Sequence, residues 1–113
     1  MSELRQTKCE PCRSDSPPAS PNQITRWLGE LSGWIVEDVD GQPQLCKLYR
    51  FKDFGSAMAF ASKAGQAADE NDHHPKITIE WGKAEVRWWT HAIRGLHQND
   101  FVMAAICDDL YEG

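Results

Sequence analysis

The sequence predicts a single-domain α+β fold of order α-β-β-α-β-β-α, with a four-stranded antiparallel sheet and helices packed on one face. Three observations predict it. Two pairs of alternating apolar segments each turn near a glycine. A long apolar stripe at helical period separates the pairs. The length of 113 residues suits one domain with a thin core.

Residues 1 to 20 read as a flexible N-terminal arm, and residues 21 to 113 as the folded domain. The arm holds Cys9-Glu-Pro-Cys12, then Ser14, Ser16, Pro17 and Pro18, and little that is large and apolar beyond Leu4. The first helix starts at Pro21, with Ser20 as N-cap and Gln23 completing a capping box. Ile24, Trp27, Leu28 and Leu31 follow at helical spacing, and Gly33 ends the run.

Trp34 to Val39 and Leu45 to Phe51 alternate as two strands. Asp40-Gly41 turns between them, with Pro43 expected to delay the return strand. A long helix follows from about Phe54 to Glu70, capped by Asp53. Its stripe is Phe54, Ala57, Met58, Ala61, Ala64, Gly65 and Ala68, small enough at several positions to lie close to a sheet. Ile77 to Trp81 and Ala84 to Thr90 form the second pair, turning at Gly82-Lys83. Ile77, Ile79 and Trp81 share one face, and Ala84, Val86 and Trp88 oppose Glu85, Arg87 and Trp89. The last helix runs from about Asn99 to Tyr111, with Val102, Ala105, Ile106 and Leu110 inward. Cys46 and Cys107 fall inside these elements and read as small buried hydrophobes.

Composition excludes several classes. Asp and Glu number 17 against 12 Lys and Arg, without a basic block, so direct nucleic-acid binding is not expected. No run approaches the roughly 18 apolar residues that span a bilayer. Met1 to Ser20 lacks the apolar core of a secretory signal. The expected compartment is the cytoplasm, where the cysteines would be reduced.

The chemistry concentrates in Asp69-Glu70-Asn71-Asp72-His73-His74-Pro75, where the long helix gives way to the third strand. Pro75 pushes His74 toward an extended backbone. Adjacent extended residues point opposite ways, so the two rings need not share a partner. Asp69 and Asp72 are the nearby carboxylates able to orient an imidazole. His91 follows the fourth strand, whose end neighbours the start of the third in an antiparallel hairpin. Local pairing alone therefore draws three histidines to one rim of the sheet.

Three readings of that rim stand side by side: surface histidines, acid–base groups, or a metal site. Histidine exchanges protons near neutrality, which suits a reaction needing an acid and a base. Zinc ligation lacks the H-E-x-x-H spacing, and adjacent His73 and His74 ligate one ion awkwardly. Cys9-x-x-Cys12 has no second Cys-x-x-Cys to complete a zinc site. His97, before the last helix, reads as exposed and unpartnered. Among the tryptophans, Trp81 is the one assigned to a pocket wall; the others read as sheet cover.

Taken together, Asp69-x-x-x-His73-His74-Pro75, Trp81, Thr90-His91 and Gly95-Leu96-x-x-x-Asp100 resemble the signature of the pterin-4a-carbinolamine dehydratases. Gly33-Trp34 and Phe51-Lys52-Asp53-Phe54 are also similar to that family, so the likeness spans about Ile24 to Leu110. It implies a homodimer or homotetramer and no metal or organic cofactor. It implies loss of water from 4a-hydroxytetrahydropterin to give quinonoid dihydropterin, in support of aromatic amino-acid hydroxylation. By position, His73, His74 and His91 form the catalytic cluster: His73 and His91 as general acids, His74 holding the pterin ring. Asp69, Asp72 and Asp100 would set histidine orientation and charge. Backbone near Trp89, Thr90 and His91 would pair with the pterin edge. Asp69 replaces the family's frequent glutamate, from which a contact to His73 is implied. The resemblance also admits a regulatory binding role, phenylalanine hydroxylase as a partner, or another pterin pathway such as molybdenum cofactor metabolism.

Overall fold

Helix α1 (Pro21–Gly29) begins where two side chains cap it reciprocally. The Ser20 hydroxyl accepts the Gln23 N–H at 3.2 Å, and Gln23 Oε1 accepts the Ser20 N–H at 2.9 Å. Both otherwise orphaned donors are thereby satisfied. Replacing Ser20 with alanine should cost about 1 kcal/mol. A thermal melt reads this as a drop of roughly 4–8 °C; an unmoved transition would mean that the cap contributes nothing. The structure is a computed structural model describing residues 18–90, 93 and 95–112. Most of the proposed arm, including Cys9 and Cys12, lies outside the described residues, as does His91. Ala19 is already part of the body: it packs on the core and donates its N–H to Leu96 O at 2.7 Å.

Helix α1 ends at Gly29 rather than near Gly33, because Glu30 already turns back to bond the carbonyls of Leu28 and Trp27. Leu31 still packs on the core from outside the helix. Gly33 has φ +82°, and a Cβ there would meet Lys47 Cε at 3.1 Å. Glycine therefore lets this loop close over the lysine. Lys47 donates to Ser32 O and to Asp108, both at 2.8 Å, and Trp34 Nε1 donates to the same carboxylate.

Strands β1 (Ile35–Val39) and β2 (Gln42–Arg50) are joined by only two residues. Asp40 and Gly41 both take positive φ, 53° and 81°, as a two-residue hairpin turn with the strand twist requires. Pro43 does not delay β2; it lies inside it, opposite Asp38. It sits one pair beyond the turn-closing pair Val39–Gln42, where the ladder needs no N–H. On its other side β4 (Lys83–Trp88) pairs only as far as Leu45. Proline thus removes no sheet hydrogen bond there.

Helix α2 (Phe54–Asn71) is capped by Asp53, whose carboxylate accepts the Ser56 N–H at 2.7 Å. It buries Ala57, Phe60, Ala61, Ala64 and Ala68. Phe54 and Met58 remain 46% and 45% exposed, outside the buried stripe. Strand β3 (Lys76–Glu80) then pairs with β4, and the sheet order is β1-β2-β4-β3. The turn is Trp81-Gly82, one residue earlier than the sequence suggests, because the last ladder pair is Glu80–Lys83. Trp81 thereby leaves the face shared by Ile77 and Ile79.

Ala84, Val86 and Trp88 are fully buried, while Lys83, Glu85 and Arg87 between them are not. Helix α3 (Gln98–Glu112) covers this face beside α2. Phe101 to Ala105 are all buried, so its first turns are enclosed rather than striped. The Tyr49 ring packs at a tilt against Phe60 and Tyr111, with centroids 4.6 Å and 4.8 Å away, tying both helices to β2. On the outer face Arg87 joins Glu37, Glu85 and Gln44, with Ile35 and Leu48 exposed nearby.

Cys46 and Cys107 are buried, as read from their positions. Burial pushes the Cys107 thiol up to about 12. A thiol held protonated is a poor nucleophile. Alkylation at pH 8 followed by mass mapping should leave Cys107 unmodified until the protein is unfolded. Labelling of Cys107 in the native protein would show that α3 opens.

Candidate active site

The register of β3 against β4 determines what meets at the histidine corner. Lys76 pairs with Arg87. Carried three residues past the ladder, the same register sets His73 level with Thr90. Helix α2 delivers the chain there through Asp72, whose left-handed backbone (φ 50°) terminates the helix. The His73 N–H bonds back to Ala68 O at 3.1 Å.

His73 is nearly enclosed. Its side chain is 11% exposed, and its Nε2 lies 2.7 Å from Asp100 Oδ1, a carboxylate with no exposure at all. Its ring also lies parallel to the Trp88 indole, with centroids 5.8 Å apart and planes 6° apart. Asp100 is held on its other oxygen. Oδ2 accepts the Thr90 hydroxyl at 2.8 Å and the His97 N–H at 2.9 Å. A buried charge survives only when paired and hydrogen-bonded, and this carboxylate has three donors. It also sits in the first turn of α3, where the helix dipole favours an anion.

His74 faces the other way. Its Nε2 lies 2.8 Å from Asp69 Oδ1, and both side chains are open to water, at 58% and 80% exposure. An exposed pair of this kind contributes at most about 1 kcal/mol. The contact implied between Asp69 and His73 is therefore not made; Asp69 lies on the side of α2 that His74 reaches. Asp69, His74 and Pro75 line an open groove with Gly65, Gln66 and Ile77, about 580 Å³ in volume. That is within the range of small-molecule sites, roughly 300–1,000 Å³.

The remaining sequence candidates fall as follows. Thr90 is 3% exposed and shares Asp100 with His73. His91 lies outside the described residues, though its neighbour Thr90 approaches Gly95 across an isolated bridge. Trp89 is half-buried against the core. Asp72 is exposed, and what it supplies is the helix-ending backbone. Trp81 is not brought to this corner. It is 70% exposed in the β3–β4 turn, about 20 Å of extended chain from His74.

Two residues were not legible as site neighbours. Trp88 reads as sheet cover, yet it is the surface under His73. His97 reads as unpartnered, yet its Nδ1 accepts the Asn99 N–H at 3.1 Å and its backbone N–H reaches Asp100. The spacing of His97 to an acid three residues on was the available signal. Histidine is not a favoured N-cap, which hides that signal. Among the described residues, no three His, Cys, Asp or Glu side chains converge as metal ligands.

Fold and contacts define a small α+β protein with an imidazole–carboxylate centre at one rim of its sheet. The family model described as "Pterin 4 alpha carbinolamine dehydratase" matches residues 17–110. Curated relatives named "Putative pterin-4-alpha-carbinolamine dehydratase" are similar along nearly the whole chain. One from Microcystis aeruginosa is 47% identical over 98% of this chain and 96% of its own length. One from Saccharophagus degradans is 46% identical over the full length of both. A crystal structure titled as a transcriptional coactivator/pterin dehydratase from Brucella melitensis superposes with TM-score 0.76 at 27% identity. It covers 84% of this chain and 99% of that one. The chain belongs to the pterin-4a-carbinolamine dehydratase family.

Proposed function

We propose that this protein is a hydro-lyase that removes water from 4a-hydroxytetrahydropterin, yielding quinonoid dihydropterin for reuse by aromatic amino-acid hydroxylases. The observation that supports it best is His73, nearly buried and bonded to the fully buried Asp100. An ionised carboxylate only accepts hydrogen bonds, so Nε2 carries the proton of that bond. Nδ1 is then the ring nitrogen left to serve a substrate. Elimination needs a proton on the departing hydroxyl and a base for the proton lost from the ring. The doubly protonated His73 ring, with Nε2–H on Asp100, gives its Nδ1 proton to the departing hydroxyl. The proton released from the pterin ring as the C=N bond forms passes to solvent water. His91 is a second acid, and exposed His74 holds the pterin at the groove. Asp69, Thr90 and Asp100 orient these groups. General acid–base help of this kind is worth about 10²- to 10⁴-fold, enough for a labile carbinolamine.

The direct test is a stopped-flow assay of wild-type protein on synthetic 4a-hydroxytetrahydropterin, with and without chelator. Acceleration over the uncatalysed reaction, unchanged by chelation, is the expected result. A rate equal to buffer alone would remove the proposal, and loss on chelation would favour a metal site. The reading includes self-association as a dimer or tetramer, supported by exposed Phe54 and Met58 one turn apart on α2. Those residues equally support a binding role beside the chemistry, and the Brucella melitensis protein is named for both.

A further inference from the structure

The start of α3 is capped by an imidazole. His97 precedes the first helical residue, Gln98, and its Nδ1 accepts the Asn99 N–H at 3.1 Å. Asp100 N–H donates to His97 O at 3.0 Å, and the Asp100 carboxylate returns to accept the His97 N–H at 2.9 Å. This resembles the cap that Ser20 and Gln23 make at α1, except that the ring nitrogen accepts the N–H of Asn99, one residue before the Asp100 that returns the second bond. Accepting at Nδ1 requires that this nitrogen carry no proton.

The carboxylate that closes this cap is the one that holds His73. Oδ2 is committed to the His97 N–H and the Thr90 hydroxyl, which leaves Oδ1 for His73. Two donors on one oxygen fix the carboxylate plane. The backbone of His97 supplies one of them, and the His97 ring anchors that backbone to the first turn. Asn99 is 3% exposed, so water does not readily replace the ring nitrogen as acceptor for its N–H.

We propose that His97 is a positioning residue for His73, acting through the α3 cap and the Asp100 carboxylate. Its kinetic consequence rests on the dehydratase reading; its geometric consequence does not. Without the ring acceptor the first turn of α3 loosens, Asp100 gains rotational freedom, and Oδ1 no longer holds the His73 ring in one orientation.

The test compares wild type with His97→Ala, His97→Gly and His97→Asn. Three quantities are read: the ring-nitrogen NMR resonances of His73 in histidine-labelled protein, kcat and KM on 4a-hydroxytetrahydropterin, and the melting temperature. His97→Ala should move the His73 Nε2 signal and lower kcat about 10-fold, as displaced catalytic groups do, with KM little changed. His97→Asn offers an acceptor oxygen at the cap and should restore both. His97→Gly preserves the backbone preference of an N-cap and repeats the comparison should the alanine variant fold poorly. A fall in melting temperature with unmoved His73 resonances and unchanged kcat would overturn the proposal. A rise in KM alone would overturn it too, by placing His97 in binding. Should wild type show no dehydration, the functional reading fails, while the His73 resonances still decide the role of His97.

Discussion

His73→Gln is expected to lower the dehydration rate by about 10²- to 10⁴-fold with the fold intact. The glutamine amide can still donate to Asp100 Oδ1, yet its N–H is far too weakly acidic to protonate a departing hydroxyl. His73→Ala should lose as much rate and also lose stability. It leaves a buried carboxylate oxygen short of its donor and a gap against the fully buried Trp88. The paired variants therefore separate chemistry from folding. Stopped-flow rates and thermal melts on both check it. Retention of more than about a tenth of the wild-type rate by His73→Gln would remove His73 from the proton path. His74→Ala should act mainly on KM, because that ring is exposed and its partner Asp69 is at the surface.

Asp100→Ala should be the most destabilising single change at this corner. It strips His73, the Thr90 hydroxyl and the His97 N–H of one acceptor at once, all around a group with no solvent exposure. Removing one partner of a buried pair costs about 3–5 kcal/mol. For a domain of this size that corresponds to a melting shift of about 15 °C or more. Asp100→Asn should cost less but not nothing. An amide has one acceptor oxygen, so its NH₂ must face either His73 or the pair of donors on the other side. Calorimetry of both variants decides the matter; a shift under about 5 °C for Asp100→Ala would mean that the carboxylate is not what holds the corner together.

The elements themselves were legible because each depends on residues close in sequence. The α2 stripe, the Ser20 cap and the Asp40-Gly41 turn are written within a few positions of one another. Their ends were less legible. Pro43 inside β2 depends on how far β4 extends along the neighbouring strand. Trp81 in the turn depends on a ladder shifted by one residue. The early stop of α1 depends on the Glu30 backbone turning back within reach of Trp27 O.

The candidate corner divides in the same way. His73, Thr90 and Asp100 could be grouped through the family resemblance, and the structure joins these three by hydrogen bonds. Asp69 on His74, Trp88 under His73 and His97 closing the α3 cap could not be read beforehand. By itself the chain's pattern of apolar residues, caps and turns determined the order and kind of its elements, since those forces act over a turn or a hairpin. Which carboxylate each imidazole meets was decided only in three dimensions. His73 and Asp100 stand 27 positions apart, and their contact exists because strand register and the approach of α3 converge on one point.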